Sequence, residues 1–507
     1  MKIALFHYHL KPGGVTDVII HSCRALLNGH SQLQELRLVS GEETGTQEVM
    51  ERIREGLDRS KADVLRLDIL DEIAYVQEGR EPDPVQLQSR LEARYDEETL
   101  WWIHNYHLGK NPAFTEAVAA VAASGERDVL LHIHDFPECG RPQNLNRLKG
   151  HPPYPTGSRV RYGVINERDR RILADAGLED SVALLPNPVP PFPLPPNKGR
   201  ALDELFSAFS QEAPSYIPGA AKLLYPVRAI RRKNLLEAGL FARLLERPAN
   251  LLVTLPGTSD QESSYSQCVA SAFQENLIPG VWLPRIPEKD RPSYPEIASS
   301  CDAVLSTSVQ EGFGYLFMNA LRWQKPLLGR YLDVMDGLLD LFGDYPRRFW
   351  ADLRVPCSPE LRKRTEEAYL GKIEGLKSQL PDRSLKSMTT AVRKLFSHGG
   401  MDISFLSVED QLEALTRCRD DESYREAAQG FNKELLETAQ LTLQAHPPHL
   451  DRQVDARFGD GAFLRAFGSV VRSLGDKSAT PASQKVQSSI LKSFARIDYL
   501  RLVYDYQ

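Results

Sequence analysis

The sequence predicts an α/β protein made of two doubly wound domains, each on a parallel sheet, facing one another over a cleft. Three observations carry that expectation. Short apolar runs that end in polar or glycine-bearing loops alternate with amphipathic stretches, which is the βαβ rhythm of a sheet covered by helices on both faces. The rhythm occurs twice, with a proline-dense stretch between the two occurrences. At 507 residues the chain also exceeds what one core serves, taking about 150 residues per domain.

The elements follow in chain order. Lys2 to Phe6 reads as the first strand, feeding HYHLKPGG and a helix from Val15 to Leu27. LWWIH (Leu100 to His104), DVLLHIH (Asp128 to His134), RYGVIN (Arg161 to Asn166) and VALLP (Val182 to Pro186) are further strands, each followed by a loop or helix, and complete a first domain over 1–190. PNPVPPFPLPPNKG, Pro186 to Gly199, then stacks seven prolines. Proline fixes φ and removes a donor, so this stretch continues neither helix nor central strand. It reads as a linker, placed with its surroundings at 191–217. The rhythm restarts with AKLLYPV, a helix through LLEAGLFARLL, then NLLVTLPG, GVWLP and DAVLSTS, giving a second domain over 218–484. Within it, about 359–448 turns charged and helical without clear strands. In KVQSSILKSFARIDYLRLVYDY, Ile490, Phe494, Ile497 and Tyr504 recur at helical spacing. An amphipathic helix over about Lys485 to Tyr504 is expected, and its apolar face must dock on something.

Composition excludes several function classes. A net charge of −6 with 26% charged residues is an ordinary surface without the basic excess that nucleic acid or anionic lipid demands. The six cysteines (Cys23, Cys139, Cys268, Cys301, Cys357, Cys418) form no Cys-x-x-Cys pair, so neither a zinc knuckle nor a disulfide framework is indicated. MKIALFHYHLKPGG holds too short an apolar run for a signal peptide, and no run approaches the roughly 18 residues of a membrane span. A cytoplasmic protein is expected.

The unusual residues sit where parallel sheets bind ligands, beyond the carboxyl ends of strands, where helix N-termini present free N–H groups. After DAVLSTS comes Glu311-Gly312-Phe313-Gly314, with a helix expected from Tyr315. The glycines allow close backbone approach, and Glu311 is an acceptor for hydroxyl groups. A glycine turn with a solvated carboxylate would read the same way. AKLLYPVRAIRRKN carries Arg228, Arg231, Arg232 and Lys233 after a strand. Four cations there repel one another unless an anion lies between them, and a diphosphate is the natural filler; a solvated basic loop is the alternative. LLHIHDFPECGRP puts His132 and His134 on one face of a strand, with His134 and Asp135 at its end and His132 read as a buried, satisfied histidine. His-x-His-Asp can bind metal, but the further ligands of a binuclear motif are missing nearby, so no metal is assigned. WWIHNYHLGKNP offers His104, Asn105, His107 and Lys110, which with Asp135, Arg141, Arg147 and Lys149 could line an acceptor pocket whose cationic bias suits a small anionic acceptor.

The order strand, PVRAIRRKN, PGT, then YPEIASSCDAVLSTSVQEGFGYLFMNALRWQKPLLG resembles the nucleotide-binding domain of GT-B retaining glycosyltransferases, in particular glycosyltransferase family 4. KPGGV resembles that family's N-terminal glycine loop, and LLPNPV its turn before the interdomain linker. The resemblance implies two Rossmann-like domains, the first on the acceptor side and the second holding the nucleotide sugar, with the terminal helix (485–507) packing back on the first. It implies that Arg228 and Lys233 hold the donor diphosphate, that Glu311 contacts the transferred sugar, and that Gly13, Gly14, Gly312, Phe313 and Gly314 border the donor. His134 is the candidate to reach the donor sugar. The family's second acidic position falls on Asn319, an amide that can still bond a ribose hydroxyl without charge assistance.

The implied activity is a retaining, metal-independent glycosyltransferase, most simply a hexosyltransferase, using a nucleotide-diphosphate sugar as substrate and no cofactor. No Gly-x-Ser-x-Gly or Asp-x-Asp motif appears, so catalysis would rest on electrostatic stabilisation and orientation. A sugar-nucleotide epimerase on the same fold and a non-catalytic sugar-nucleotide-binding protein are the alternatives. The sequence is silent on oligomeric state.

Overall fold

The computed structural model describes residues 1–196, 199–395, 400–476 and 481–506. The chain divides into two compact units: Met1–Pro190 with Arg452–Phe494, and Pro191–Asp451 with Ala495–Gln507.

The first unit is built on seven strands: β1 Lys2–His7, β2 Glu35–Ser40, β3 Leu65–Ile69, β4 Thr99–His104, β5 Val129–Ile133, β6 Val160–Val164 and β7 Val182–Leu184. They pair in parallel in the order β3-β2-β1-β4-β5-β6-β7. Every residue of β4, β5 and β6 is buried, as expected of strands covered on both faces. The order reverses between β1 and β4, and at such a switch point a crevice opens beyond the strand ends. The loop carrying Gly13 leaves β1 there, and His104 ends β4. β2 and β3 have no counterpart among the strands expected from sequence, because ELRLVS and LRLDI interleave charges with apolar residues. Arg37 and Asp68 meet at 3.0 Å across these two strands, so the charges compensate each other.

Arg452–Phe494 corrects the expected boundary, since the chain returns to the first unit at 452 and not at 485. The helix Asp460–Arg472 lies on the helix Gly14–Gly29 so closely that a Cβ at Gly29 would collide with Leu464. Phe463, Phe467 and Val470, spaced by four and three residues, join one core with Trp102, Ile19 and Leu26. The ring of Phe467 is 5.0 Å from Trp102. A last helix, Ser483–Ser493, buries Val486 and Ile490, and Phe494 meets Phe136 at 5.2 Å.

The second unit carries β8 Lys222–Arg228, β9 Asn250–Leu255, β10 Gly280–Trp282, β11 Ala303–Ser306, β12 Leu327–Arg330 and β13 Arg347–Trp350, parallel in the order β10-β9-β8-β11-β12-β13. Its switch point lies between β8 and β11. The stretch read as a linker over 191–217 contains the helix Gly199–Ala208, with Leu202 and Phe206 buried against this unit; Asn197 and Lys198 lie outside the described residues. The stretch read as helical over 359–448 holds five α-helices, from Pro359–Gly375 to Lys433–Leu443, among the described residues. It also holds a strand the sequence did not reveal, β15 Gly400–Asp402, antiparallel to β14 Arg354–Pro356.

β15 has a reason to exist. Asp402 meets Arg330 at 2.7 Å, Arg330 meets Glu237 at 2.8 Å, and the Trp350 indole donates to Glu237 at 3.0 Å. All four are buried, so the guanidinium is tolerable only because two carboxylates and the Ala351 carbonyl take up its donors.

The expected terminal helix stops at Ser493 and not at Tyr504. Short 3₁₀ turns, Ile497–Tyr499 and Leu502–Asp505, follow, and Leu502 and Val503 are buried in the second unit. The apolar period that looked like one helix therefore serves two cores.

Candidate functional site

At the switch point of the second unit, three chain segments converge. Arg228 ends β8, and the 3₁₀ turn Arg231–Lys233 follows it, closed by Asn234 in the left-handed region at φ 48°. Asn234 is buried, and its side-chain N–H donates to Glu237 at 2.7 Å. After β9, Thr258 accepts a bond from Arg228 at 3.0 Å, and Glu262 lies 3.6 Å from the same guanidinium. After β11 comes Glu311, which Lys233 contacts directly and Arg232 meets at 3.1 Å.

The helix Tyr315–Trp323 starts here. Its N-cap is Gly314 at φ 93°, where a Cβ would also press on Phe317 at 2.6 Å, so the position demands glycine. Phe313 is buried with its ring 5.0 Å from Tyr315, and Gly312 lies in the loop between Glu311 and Phe313. Asn319 shares the less buried face of this helix with Tyr315 and Leu316, and among the described residues no protein group takes its amide.

Charge at this point is set by a contest between burial and neighbours. Burial alone would raise the Glu311 carboxyl, but Lys233 and Arg232 outweigh it and pull the group down to about 2. Burial pushes the Lys233 ammonium down to about 8, with Glu311 opposing that shift. The carboxylate is therefore ionised and acceptor-only at neutral pH. The four-cation run needs a correction: Arg231 donates to the carbonyls of Tyr504 and Tyr506, at 2.6 and 2.7 Å, and so holds the chain's own C-terminal segment. Three cations, Arg228, Arg232 and Lys233, remain against two carboxylates, Glu262 and Glu311.

The first unit brings a second set to its own switch point. Gly13 and Gly14 open the helix Gly14–Gly29. A Cβ at Gly14 would meet nothing within 4 Å, and at Gly13 only the Lys11 carbonyl at 3.9 Å. Neither glycine is required by the chain's own packing, so the open space at this helix end is available to a ligand.

His134 follows β5 directly. Its backbone N–H donates to the Asn105 side chain at 2.8 Å, and its Nε2 lies 2.9 Å from His104 Nδ1. Asn105 takes φ 51° to reach it. The three predicted acceptor residues His104, Asn105 and His107 are buried, as is His134 itself. His104 and Asn105 support His134, and His107 is enclosed by the rings of Phe136 and Tyr154. Lys110 and Asp135 keep partial exposure. Asp135 pairs with Arg141 at 2.7 Å and Arg147 with Glu81 at 3.0 Å, while Lys149 is exposed. Lys110 has no carboxylate partner among the described residues; its ammonium stands 5.4 Å over the Tyr75 ring. Burial, then Arg141 and Arg147, lower its pKa.

Sequence reasoning passed over His7, His9 and Tyr75. The rings of His9 and Tyr75 are 5.0 Å apart, and His7 Nδ1 lies 3.4 Å from the His104 carbonyl. The signal was FHYH, a second His-x-His at a strand end. Burial pushes His7 and His132 down to about 3 and, with mutual repulsion, holds His104 and His134 well below the usual range. These imidazoles are neutral. His104, His132 and His134 offer nitrogens within 4.8 Å of one another, the spacing of a loose metal-binding group. The donor-only indole of Trp102 gives its proton to His132 Nδ1 at 3.3 Å, which puts the His132 proton on Nε2 and denies a metal that lone pair. His132 is thus less than fully satisfied: its Nε2 has no well-formed hydrogen bond among the described residues, and the Leu185 backbone is a nearby polar group.

No family model matches the chain. Mannosylglucosyl-3-phosphoglycerate synthase of Petrotoga mobilis is 30% identical over 531 residues, covering 100% of each chain. Among solved structures, Anabaena Alr3699/HepE in complex with UDP-glucose is similar with a TM-score of 0.48 and 11% identity over 94% of this chain and 100% of its own. Sucrose-phosphate synthase from Thermosynechococcus elongatus is similar with a TM-score of 0.48 and 13% identity over 93% and 98%.

Proposed function

The chain belongs to the family of the Petrotoga mobilis mannosylglucosyl-3-phosphoglycerate synthase, and from that premise we propose that it transfers a mannosyl group from a nucleotide-diphosphate sugar to a hydroxyl of a glucosyl-3-phosphoglycerate acceptor. It is a glycosyltransferase, so the epimerase and non-catalytic alternatives are set aside. The reading extends to a retaining, metal-independent, cytoplasmic enzyme of the GT-B type, as its resemblance to family 4 implies. No described helix is long and apolar enough to cross a membrane.

One observation carries the donor side: Arg228, Arg232 and Lys233 are fixed around Glu311 at the ends of β8 and β11, beside the N-terminus of Tyr315–Trp323. In this reading the bond from the sugar's anomeric carbon to the diphosphate oxygen breaks. The acceptor oxygen bonds the same carbon from the same face, and its proton passes to a departing phosphate oxygen. The cations stabilise the charge that develops on that oxygen, and they are in place before reaction. Glu311 accepts from hydroxyls of the transferred sugar, and Asn319 bonds the ribose.

The acceptor side rests on Lys110, a partly buried cation without a carboxylate partner among the described residues, beside Arg141 and Arg147, which suits a phosphate- or carboxylate-bearing acceptor.

The test is a transfer assay pairing nucleotide-diphosphate mannoses and glucoses with glucosyl-3-phosphoglycerate, in the presence of excess chelator, with the product's anomeric configuration read by NMR. A mannosylated product with the donor's configuration, formed despite chelator, is expected. Inversion, or a loss of activity that added metal restores, would overturn the corresponding part of the reading.

A further inference from the structure

His134 meets His104 through one hydrogen bond, between His104 Nδ1 and His134 Nε2 at 2.9 Å. Both rings are neutral, so one nitrogen gives a proton and the other receives it, and the direction decides what His134 offers to a ligand. If His134 Nε2–H donated, its Nδ1 would be a lone pair, and His104 would carry its proton on Nε2. If His104 Nδ1–H donates, His134 carries its proton on Nδ1, and His104 Nε2 is a lone pair.

The surroundings separate the two cases. Among the described residues His104 Nε2 is buried with no partner, and His132 Nε2 is buried with no well-formed hydrogen bond. The Trp102 indole already forces a proton onto His132 Nε2. The first case would therefore bury two N–H groups without a well-formed bond in one cluster, and the second buries one. Orphaned buried N–H groups are the rarer and costlier kind, whereas an unfilled acceptor is better tolerated. Asn105 fixes the His134 backbone through its N–H at 2.8 Å, and the two rings lie within 13° of one plane, so the ring is held in register with its donor.

We infer that His104 is a positioning residue that fixes His134 in the Nδ1–H tautomer, so that His134 presents a hydrogen-bond donor, and not a base, to an oxygen of its ligand. The inference rests on the proposed function for the chemical class of that ligand, an oxygen-bearing substrate, but the tautomer itself does not depend on it. A fixed N–H beyond β5 selects ligands with an oxygen acceptor there. It takes no proton from the acceptor hydroxyl, in keeping with a reaction in which the departing phosphate receives that proton.

The experiment is long-range ¹⁵N–¹H correlation NMR on the full chain labelled at its 12 histidines, without ligand, with the His134 signals identified by their loss in His134→Gln. The expected wild-type spectrum has His134 Nδ1 protonated and Nε2 unprotonated. In His104→Phe the constraint is removed and the Nε2–H form becomes populated; in His104→Asn, which can keep a donor near the place of Nδ1, the Nδ1–H form persists. A wild-type His134 protonated on Nε2 overturns the inference, and so does a His134 spectrum unchanged by His104→Phe. Stoichiometric uptake of added Zn²⁺ that His104→Phe abolishes would make the cluster a metal site and overturn it as well. Should His104→Phe fail to fold, the wild-type spectrum still decides the tautomer and His104→Asn the role. Failure of the transfer assay with an Nδ1–H spectrum intact would remove the proposed function and leave the tautomer standing.

Discussion

Replacing Glu311 with Gln tests the charge arrangement of the second unit most directly. The carboxyl is displaced from 4.5 to about 2, which at about 1.4 kcal/mol per pH unit corresponds to roughly 3 kcal/mol of folded-state stabilisation. The side chain is only 15% exposed, so little of this is lost to solvent screening. Because the folded pKa is depressed, this stability is fully present above about pH 4.5 and is lost as pH falls toward 2. Lys233 runs the other way. Its pKa is lowered from 10.5 to about 8, so it imposes a cost of similar size below pH 8 that fades as pH rises toward 10.5. Glu311 therefore offsets the burial of Lys233, and the amide cannot. At pH 7 the variant should lose roughly 3 kcal/mol, or about 6–10 °C in the melting temperature of the second unit. At about pH 9.5, where Lys233 can shed its proton, the deficit should shrink to less than half. Differential scanning calorimetry at both pH values measures this. Equal deficits at the two values, or none at pH 7, would refute the reasoning. A nucleoside diphosphate should stabilise the variant more than the wild type, because an anion replaces the missing charge.

Three further outcomes are expected. Arg228→Ala should lower kcat by on the order of a hundredfold while leaving the melting temperature nearly unchanged, since the guanidinium is 40% exposed and acts on developing charge; steady-state kinetics with the identified donor check it. Asn319→Glu should tighten donor binding by about 1 kcal/mol, the gain from a charged over a neutral acceptor, as read by calorimetric titration. Phe467→Ala should destabilise the protein by about 3–5 kcal/mol in urea unfolding, because Phe467 is buried against Trp102 in the first unit's core.

Much of the fold was legible because fully buried parallel strands leave continuous apolar runs. LWWIH, VLLHI and AVLS are buried throughout and were readable as strands. β3, an edge strand with Arg66 exposed, leaves no such run. The return of the chain at Arg452 was hidden for a different reason: AFLRAFGSVV has a clear helical period, but a period tells that a face is buried and not against which domain. Local motifs drew attention to the strand-end clusters, and their partners escaped them. PVRAIRRKN announced cations at a strand end, yet the carboxylate that meets Arg232 and Lys233 lies 79 and 78 residues away, and the carbonyls that engage Arg231 lie 273 and 275 residues away. The histidines of WWIHNYHLGK were read as lining an acceptor pocket for want of the same information, since nothing local shows that β5 and Tyr154 cover them.

The charge count at the second switch point gives Asn319 a physical sense. The cations of the turn are largely satisfied by Glu311 and Glu262, so the loop is held in place before any donor arrives and need not reorganise as charge develops. In the proposed function, a diphosphate approaching Lys233 would compete with Glu311, and the released carboxylate oxygen would be free to accept from a sugar hydroxyl. Arrival of the donor thus exchanges one set of bonds for another, which keeps ground-state affinity modest and saves the cations for the leaving group. Three cations against two carboxylates leave one net positive charge to draw a dianionic group. A third carboxylate at position 319 would cancel it. In the proposed function the amide keeps a hydrogen bond for the ribose while preserving the field that the diphosphate needs, so an Asn319→Glu variant that binds the donor no tighter than the wild type would show that the lost field outweighs the charged bond.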